Sequence, residues 1–275
     1  MTRLPERLSC ECRKALPSDE RTPIHPAAHK GFSHGAVVYA GGRPDYPSAL
    51  LSWLRTALLL SGNSVAADLG AGTGKFTRLL MQTGAQVVAV EPVEAMRAQL
   101  IQGVPGIRAL PGTADATTLN SGSVNAVTCA QAFHWFATRE VLEEIHRVLA
   151  PQGKLGLVWN VRDESCDWVA AITALIAPYE AGTPRFHTGA WGGAFTGEFF
   201  SPPELTLFPH QHVGTPRQVI IDRTLSVSFI AALPDAEKAV VTRQLQTLID
   251  THPQLKDRSE ITFPYRTHAY HCARI

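Results

Sequence analysis

The chain alternates between short apolar runs and stretches in which apolar residues recur every three to four positions. Apolar runs of this kind predict buried strands, and the second pattern predicts helices with one buried face. The predicted strands cover residues 64–69, 86–90, 107–110, 124–130 and 154–159, and the predicted helices cover residues 48–60, 75–83, 93–102 and 139–149. Because strands and helices alternate through short loops, the predicted fold class is α/β, with a doubly wound and mostly parallel sheet.

The pattern is less regular in the C-terminal part of the chain. Residues 165–181 and 216–251 are predicted to be largely helical, with a break at Pro234 in the second stretch. Residues 260–272 are predicted to form a closing strand, antiparallel to the rest of the sheet. The region 165–255 is therefore predicted to be a helical cap insertion that handles the substrate.

Residues 182–203 combine five glycines with Trp191, Phe195, Phe199 and Phe200. A segment that is both flexible and apolar is typical of a lid that closes over a substrate. The same composition is typical of a surface loop that packs its own aromatic rings into the fold. We expect the lid, with the packed loop as the alternative.

The turn after the first predicted strand has the composition of a ligand-binding loop. Asp68 ends the apolar run, and Gly70, Gly72 and Gly74 follow at alternate positions. Glycines let the backbone pass close to a ligand, and the helix that starts there offers free N–H groups. Glu91 ends the next strand, where a carboxylate suits the two hydroxyls of a ribose. These features together predict a nucleoside site at the carboxyl edge of the sheet.

Several segments resemble those of a known enzyme family. The string Asp68-x-Gly70-x-Gly72-x-Gly74 resembles motif I of the class I S-adenosylmethionine-dependent methyltransferases. Three further segments resemble other regions of the family, namely Gly112-Thr-Ala-Asp115, Gln131-Ala-Phe-His134-Trp135 and Tyr39-x3-Arg43-Pro-Asp-Tyr46-Pro47. The last of these is similar to a subgroup that includes trans-aconitate and ubiquinone/menaquinone-type methyltransferases. The resemblance implies a Rossmann-like sheet and transfer of a methyl group from S-adenosylmethionine to a small-molecule acceptor by in-line displacement.

The resemblance also implies which residues hold the methyl donor. Glu91 is implied to accept from the ribose, Asp115 to receive the adenine amino group, and Gln131 to lie beside the methionine part. The implied donor-binding set is Tyr39, Arg43, Asp68, Gly70, Ala71, Gly72, Gly74, Glu91, Pro92, Met96, Thr113, Ala114, Asp115 and Gln131. Each acid also has a plainer interpretation, because Asp68 and Asp115 suit turn caps and Glu91 suits a solvated strand end.

On the acceptor side, His134 and Trp135 are the candidate catalytic residues, whereas the resemblance implies that the His134-Trp135-Phe136 triplet serves the fold or the donor. Histidine titrates near neutral pH and serves as a base or a donor. A histidine between aromatic residues is also often a packed residue with one satisfied nitrogen. Arg162, placed just after the fifth predicted strand, suits an acidic acceptor, although a solvated cation is the simpler interpretation.

Two other functions compete with methyl transfer. A nicotinamide-dependent oxidoreductase uses a similar sheet, but the alternate spacing of the three glycines and the Asp115 segment argue against it. A catalytically silent domain that binds the donor and acts as a partner or sensor is weakened by the intact donor motifs. The atom that accepts the methyl group and the oligomeric state stay open.

Composition and net charge narrow the possible partners and the location of the protein. The chain has 275 residues and a formal net charge of +1, so nothing in its charge points to nucleic acid or to a membrane surface. Its longest apolar stretch, residues 49–60, is too short to span a bilayer. Five cysteines do not suggest a disulfide framework, and no apolar leader is evident, so a cytoplasmic location is expected. Residues 1–30 are predicted to be a disordered arm and residues 31–275 the methyltransferase domain.

One pattern in the arm resembles a metal site. Cys10-x-Cys12 is followed by His25-x3-His29, with the gap of a zinc finger between the pairs. The two cysteines are one residue too close, and prolines beside the histidines obstruct the helix that should carry them. We therefore predict no metal site.

Overall fold

The computed structural model describes residues 42–275. Tyr39, the predicted arm and its cysteine and histidine pattern lie outside the described residues. Seven strands form one sheet: β1 (Val65–Leu69), β2 (Gln86–Val90), β3 (Arg108–Leu110), β4 (Val124–Ala130), β5 (Leu149–Arg162), β6 (Glu204–Gly214) and β7 (Ile261–Ala273). Their spatial order is β3-β2-β1-β4-β5-β7-β6. Strands β1 to β5 are parallel, and β7 is antiparallel to both β5 and β6, which confirms the predicted fold class.

Within residues 42–275, α-helices occur before, between and after the strands. They are α1 (Leu50–Thr56), α2 (Lys75–Met81), α3 (Glu94–Gly103), α4 (Arg139–Val148), α5 (Asp167–Ile176), α6 (Arg223–Leu225), α7 (Ser228–Ala231) and α8 (Asp235–Thr251). A π-helical stretch, Arg217–Asp222, leads into α6, and short 3-10 turns cover Phe133–Trp135, Ala177–Tyr179, Phe186–Thr188 and Ala190–Ala194. In the described part of the chain, no helix has the length and apolar content needed to cross a membrane.

Apolar residues of the central strands are buried on both faces of the sheet. Ala67 and Val127 belong to the cluster that packs against α4, whereas Ala66 and Ala126 belong to the cluster that packs against α1 and α2. Strands covered on both sides bury every residue, so they appear in sequence as continuous apolar runs. This is why the continuous apolar runs in the sequence predicted these strands.

Strand β5 is longer than predicted. It ends at Arg162 and not at Trp159, because β7 pairs with it residue by residue as far as Arg162 and Tyr265. Arg162 is therefore the last residue of the strand and is only partly exposed. The simpler interpretation of Arg162 as a solvated cation is wrong.

Strand β6 was not predicted, and it interrupts the region 165–255 that was expected to be a helical cap. Pro209 lies in its middle, and a proline normally argues against a strand. Within the described residues β6 pairs with β7 alone, so a missing N–H is tolerated on its outer edge. Its solvent face holds Leu205, Leu207 and Val213, which inverts the usual alternation of buried apolar and exposed polar residues.

The aromatic residues of 182–203 divide between the two expectations. Trp191 and Phe200 are buried in the core, and the Trp191 ring lies 4.9 Å from that of Trp159, so this part follows the packed-loop alternative. Phe186, 4.7 Å from Trp159 between ring centroids, lines a cavity instead. The beginning of the segment therefore faces a space that a ligand can enter.

Candidate active site

A cavity, here named the first cavity, opens at the carboxyl ends of β1, β2 and β4, where doubly wound sheets bind their ligands. Most of the residues implied to hold the donor line it: Arg43, Asp68, Gly70, Ala71, Gly72, Glu91, Pro92, Met96, Thr113, Ala114, Asp115 and Gln131. The strand ends bring together residues that lie far apart in sequence.

The Glu91 carboxylate is held by two backbone N–H groups. Gly72 donates to Oε2 at 2.8 Å and Val93 donates to Oε1 at 2.9 Å. Gly72 has a φ of +57°, and nothing lies within 4 Å of where its Cβ would stand, so the turn presents bare backbone to the cavity. Burial raises the pKa of Glu91, and the two backbone bonds oppose that shift. Each carboxylate oxygen retains a lone pair, which suits a diol that donates twice.

Asp68 is almost fully buried at the end of β1. Its Oδ2 accepts from the Thr77 hydroxyl at 2.7 Å and its Oδ1 accepts from the Thr128 hydroxyl at 3.2 Å. Burial raises the pKa of Asp68 to about 7; the two hydroxyl bonds lower it, and the nearby Glu91 charge raises it. Asp68 therefore ties β1 to α2 and β4 while it also lines the first cavity.

Gly74 does not line the first cavity, contrary to expectation. It has a φ of +84°, and a Cβ there would lie 2.4 Å from Leu100 Cδ1 and 2.9 Å from Val104 Cγ2. Glycine at this position lets α3 pack against the start of α2. The third glycine of the motif thus serves packing and does not contact the ligand space.

Thr113 supplies a polar group without a partner. Its hydroxyl oxygen is buried and has no hydrogen-bond partner among the described residues, and Thr113 lines the first cavity beside Asp115. Buried polar groups are normally hydrogen-bonded, so an orphan in a cavity wall suits a ligand that supplies the bond. Together with the Glu91 carboxylate, this fits an adenosine-like ligand.

Asn160 and Arg223 also line the first cavity, although neither was predicted from the sequence. Asn160 Nδ2 donates to the backbone carbonyl of Asp45 at 2.9 Å, and the backbone carbonyl of Asn160 accepts from Gln131 Nε2 at 3.1 Å. The strand-end rule that found Glu91 would have found Asn160, since it follows the apolar run of β5. Arg223 has no such signal, because it lies in a helical stretch that only tertiary packing brings to the site.

A second cavity, of about 330 Å³, adjoins the first. His134, Trp159 and Phe186 line it, and Gln131, Trp135 and Asn160 belong to the walls of both cavities. The predicted acceptor-side pair therefore lies at or beside the junction.

His134 is held as a neutral imidazole. Trp159 Nε1 donates to its Nδ1 at 3.1 Å, which leaves the proton of the neutral ring on Nε2. Burial, and to a smaller extent the charges of Arg185 and Arg43, lower the pKa of His134 to about 3. At neutral pH this residue therefore offers an Nε2–H donor.

Comparison with known proteins identifies the family. A family model described as a methyltransferase domain matches residues 67–157. The chain is 35% identical to an uncharacterised methyltransferase-like protein of Schizosaccharomyces pombe, over 88% of this chain and 94% of that protein. It is 34% identical to an uncharacterised methyltransferase of Mycobacterium tuberculosis, over 86% of this chain and 92% of that protein.

A solved structure from Anaeromyxobacter dehalogenans, described as a candidate type II methyltransferase, has the same fold. Its TM-score is 0.62 at 23% sequence identity, over 84% of this chain and 96% of that chain. Together, these similar proteins and the residues at the strand ends show that the chain belongs to the class I S-adenosylmethionine-dependent methyltransferases.

Proposed function

We propose that the protein transfers a methyl group from S-adenosylmethionine, held in the first cavity, to a small-molecule acceptor that occupies the second cavity. The observation that carries this proposal is the common wall of the two cavities at Gln131, Trp135 and Asn160. Two molecules that fill the cavities would meet there. A shared wall of this kind suits in-line displacement, in which the acceptor approaches opposite to the leaving group.

The donor-binding roles follow from which polar atoms face the first cavity. Glu91 would accept from the ribose hydroxyls with the lone pairs that its backbone bonds leave free. Thr113 and Asp115 would hold the adenine edge, since the Thr113 hydroxyl has no other partner among residues 42–275. Asp68 and Gln131 would face the amino-acid part, and Arg43 would face its carboxylate.

When bound, S-adenosylmethionine supplies a methyl group that its cationic sulfur already activates. The protein then has to position the acceptor and exclude water, and it needs no acid–base triad. His134 would orient the acceptor through its Nε2–H, because its Nδ1 already accepts from Trp159. The region 165–255 would provide the substrate side of the second cavity, through residues such as Ile176 and Phe229.

The test is a screen of small molecules with the full chain and tritiated S-adenosylmethionine. Label should move to at least one small molecule and not to nucleic acid. Calorimetry with S-adenosylhomocysteine measures the donor site separately, with NAD as the comparison. Binding of NAD but not of S-adenosylhomocysteine would overturn the proposal, whereas donor binding without transfer to any acceptor would indicate a silent domain.

A further inference from the structure

Arginine side chains are concentrated around the second cavity. Its charged lining consists of Arg43, Arg162, Arg185 and Arg223, with Glu164 and Glu180 as the acidic residues. Four guanidinium groups against two carboxylates leave a formal excess of two positive charges in a partly enclosed space. Charges of one sign that line a cleft with apolar walls concentrate ligands of the opposite sign.

Arg223 is 6% exposed and only partly satisfied. Its Nε donates to the Tyr265 hydroxyl at 3.2 Å, and its Nη1 is buried without a hydrogen-bond partner among the described residues. No carboxylate of residues 42–275 forms an ion pair with it. A buried guanidinium with an orphan donor is costly unless a ligand supplies the acceptor.

Arg162, at the end of β5, also lacks an ion-pair partner in the described part of the chain. Its Nη1 donates to the Thr173 hydroxyl at 3.3 Å, and that hydroxyl donates in turn to Glu164 at 2.8 Å. Burial and the neighbouring arginines lower the pKa of Arg162 to about 9, so the group stays charged at neutral pH. The protein thus keeps Arg162 charged at a position where burial and neighbouring positive charges disfavour a cation.

Arg185 has an acidic partner that also lines the cavity. Its Nε lies 3.0 Å from Glu180, and its guanidinium lies 5.0 Å from the centre of the Phe229 ring. This pair neutralises one arginine and leaves the charges of Arg162 and Arg223 uncompensated. The aromatic rings of Phe186 and Trp135 complete the wall and offer apolar contact area.

We infer that the acceptor is a small organic anion, whose carboxylate or phosphate oxygens are held by Arg162 and Arg223 while its apolar part lies against Trp135 and Phe186. This inference rests on the proposed function and narrows its substrate class. The planar fork of a guanidinium binds either oxyanion through two parallel hydrogen bonds. Arg223 also borders the first cavity, so Arg162, which does not, is the residue that separates acceptor from donor effects.

Thermal unfolding of the full chain tests the site without knowledge of the natural acceptor. Succinate, benzoate and inorganic phosphate serve as probes at constant ionic strength, with succinamide and benzamide as uncharged matches. At ten times the dissociation constant, a bound anion should raise the unfolding temperature by about 3–6 °C. The carboxylate and phosphate arms show which oxyanion the site prefers.

Arg162→Met should abolish the response to the anions and, in chloride buffer, unfold at a temperature equal to or above that of the unmodified protein. Removal of an uncompensated and partly buried charge relieves repulsion from the neighbouring arginines, and residues kept for function often cost stability in this way. Arg266→Met removes an exposed arginine paired with Asp163 outside the cavity, and it should keep the full response. Arg162→Lys keeps the charge without the fork and should keep a reduced response.

The inference is overturned if no oxyanion raises the unfolding temperature, if the uncharged matches act equally well, or if Arg162→Met responds like the unmodified protein. It is also overturned if both Arg162 variants unfold at markedly lower temperature, since that result assigns the residue to structural support. Calorimetry with S-adenosylhomocysteine on the same proteins separates the two proposals. Donor binding without an anion response removes only this inference, whereas an absent donor site removes the proposed function.

Discussion

At the scale of single residues, the first cavity depends on two buried carboxylates that are stabilised in different ways. Glu91 accepts from two backbone N–H groups, which favours its charged form, whereas Asp68 accepts from two neutral hydroxyls. The charge of Glu91 raises the pKa of Asp68 further, after the larger effect of burial. A ligand that brings a cationic group and two hydroxyls satisfies both residues, which is what an amino-acid nucleoside does.

We expect Glu91→Gln to weaken S-adenosylhomocysteine binding by at least about tenfold, because bonds to a charged acceptor each contribute about 1.5–3 kcal/mol. The amide also turns an NH₂ group toward one of the backbone N–H groups that now donate to the carboxylate. Glu94→Gln, on the neighbouring helix α3, is the matched control. Calorimetry that finds unchanged affinity in Glu91→Gln would contradict the ribose assignment.

Asp68 predicts a pH dependence of donor binding. Its pKa of about 7 in the ligand-free protein means that the carboxyl is largely protonated below that pH. If the amino group of S-adenosylhomocysteine lies beside it, binding favours the ionised form and releases a proton. Affinity should therefore rise with pH by up to about tenfold per unit below pH 7 and level off above it.

The affinity of Asp68→Asn should show no such rise. Calorimetry on the variant and the unmodified protein from pH 5.5 to 8 measures the difference. Stability gives a second readout of opposite sign. Because burial raises the folded-state pKa of Asp68 above its usual value, ionisation costs stability, and the ligand-free protein should lose stability as pH rises toward 7. Parallel affinity profiles in the two proteins would show that Asp68 is only a structural link.

His134 should stay neutral throughout the physiological range, since burial lowers its pKa to about 3. Nuclear magnetic resonance of the imidazole nitrogens should show a proton on Nε2 at every pH from 5 to 8. With an acceptor found in the methyl-transfer screen, His134→Ala should mainly raise KM, with a fall in kcat of less than about tenfold. A fall of about 10²–10⁴ in kcat would instead identify a general base.

At the scale of elements, the sequence predicts best where burial is symmetrical. Strands β1 to β4 are apolar runs. The ends of these runs in the sequence agree with the ends of the strands to within a residue or so. Strand β6 escapes the same rules because it carries Pro209 and because its leucines face solvent. The far end of β5 escapes because its length depends on pairing with β7, which comes about one hundred residues later in the chain. The local sequence pattern thus predicts where a strand lies, whereas the position of its end can depend on pairing with a strand that is far away in the chain.

Gly74 separates a packing role from a binding role inside the glycine turn. Gly74→Ala places a Cβ 2.4 Å from Leu100 Cδ1 at a φ of +84°, so both overpacking and backbone strain oppose it. We expect a loss of unfolding free energy of about 2–4 kcal/mol by denaturant titration.

Gly122→Ala is the matched control, because it also has a positive φ of +65° but open space around the added Cβ. It should lose only about 1 kcal/mol. Equal losses in the two variants would show that backbone strain alone sets the cost and that contact between α2 and α3 does not.

At the scale of the whole molecule, the active site combines motifs that the sequence displays with residues that only folding brings together. Asp68, Glu91 and Asp115 are visible because each lies at or just beyond the end of a strand whose place is fixed by topology. Arg162, Arg185 and Arg223 come from strand β5, a loop and helix α6, and no spacing relates them. The sequence therefore indicates most residues that line the first cavity, and His134, Trp135 and Arg162 in the wall of the second, whereas Arg185 and Arg223 carry no signal of this kind.

At the same scale, the donor site should require only part of the chain. Residues 1–30 lack the apolar period of a packed element, and their cysteine and histidine pattern has poor spacing for zinc. A chain that starts at Gly31 should therefore bind S-adenosylhomocysteine with unchanged affinity. A chain that starts at Ala49 lacks Arg43, Pro44 and Tyr46, all of which line the first cavity, and it should bind at least about tenfold more weakly.

Calorimetry on the two truncated chains, with metal analysis of the full chain, provides the measurement. One equivalent of tightly bound zinc that is lost in Cys10→Ser would contradict the expectation for the N-terminal residues. A loss of affinity on removal of residues 1–30 alone would contradict it as well. It would mean that the donor site depends on this segment in addition to the strand ends and the stretch around Arg43, so that the boundary of the binding unit would have to move toward the first residue.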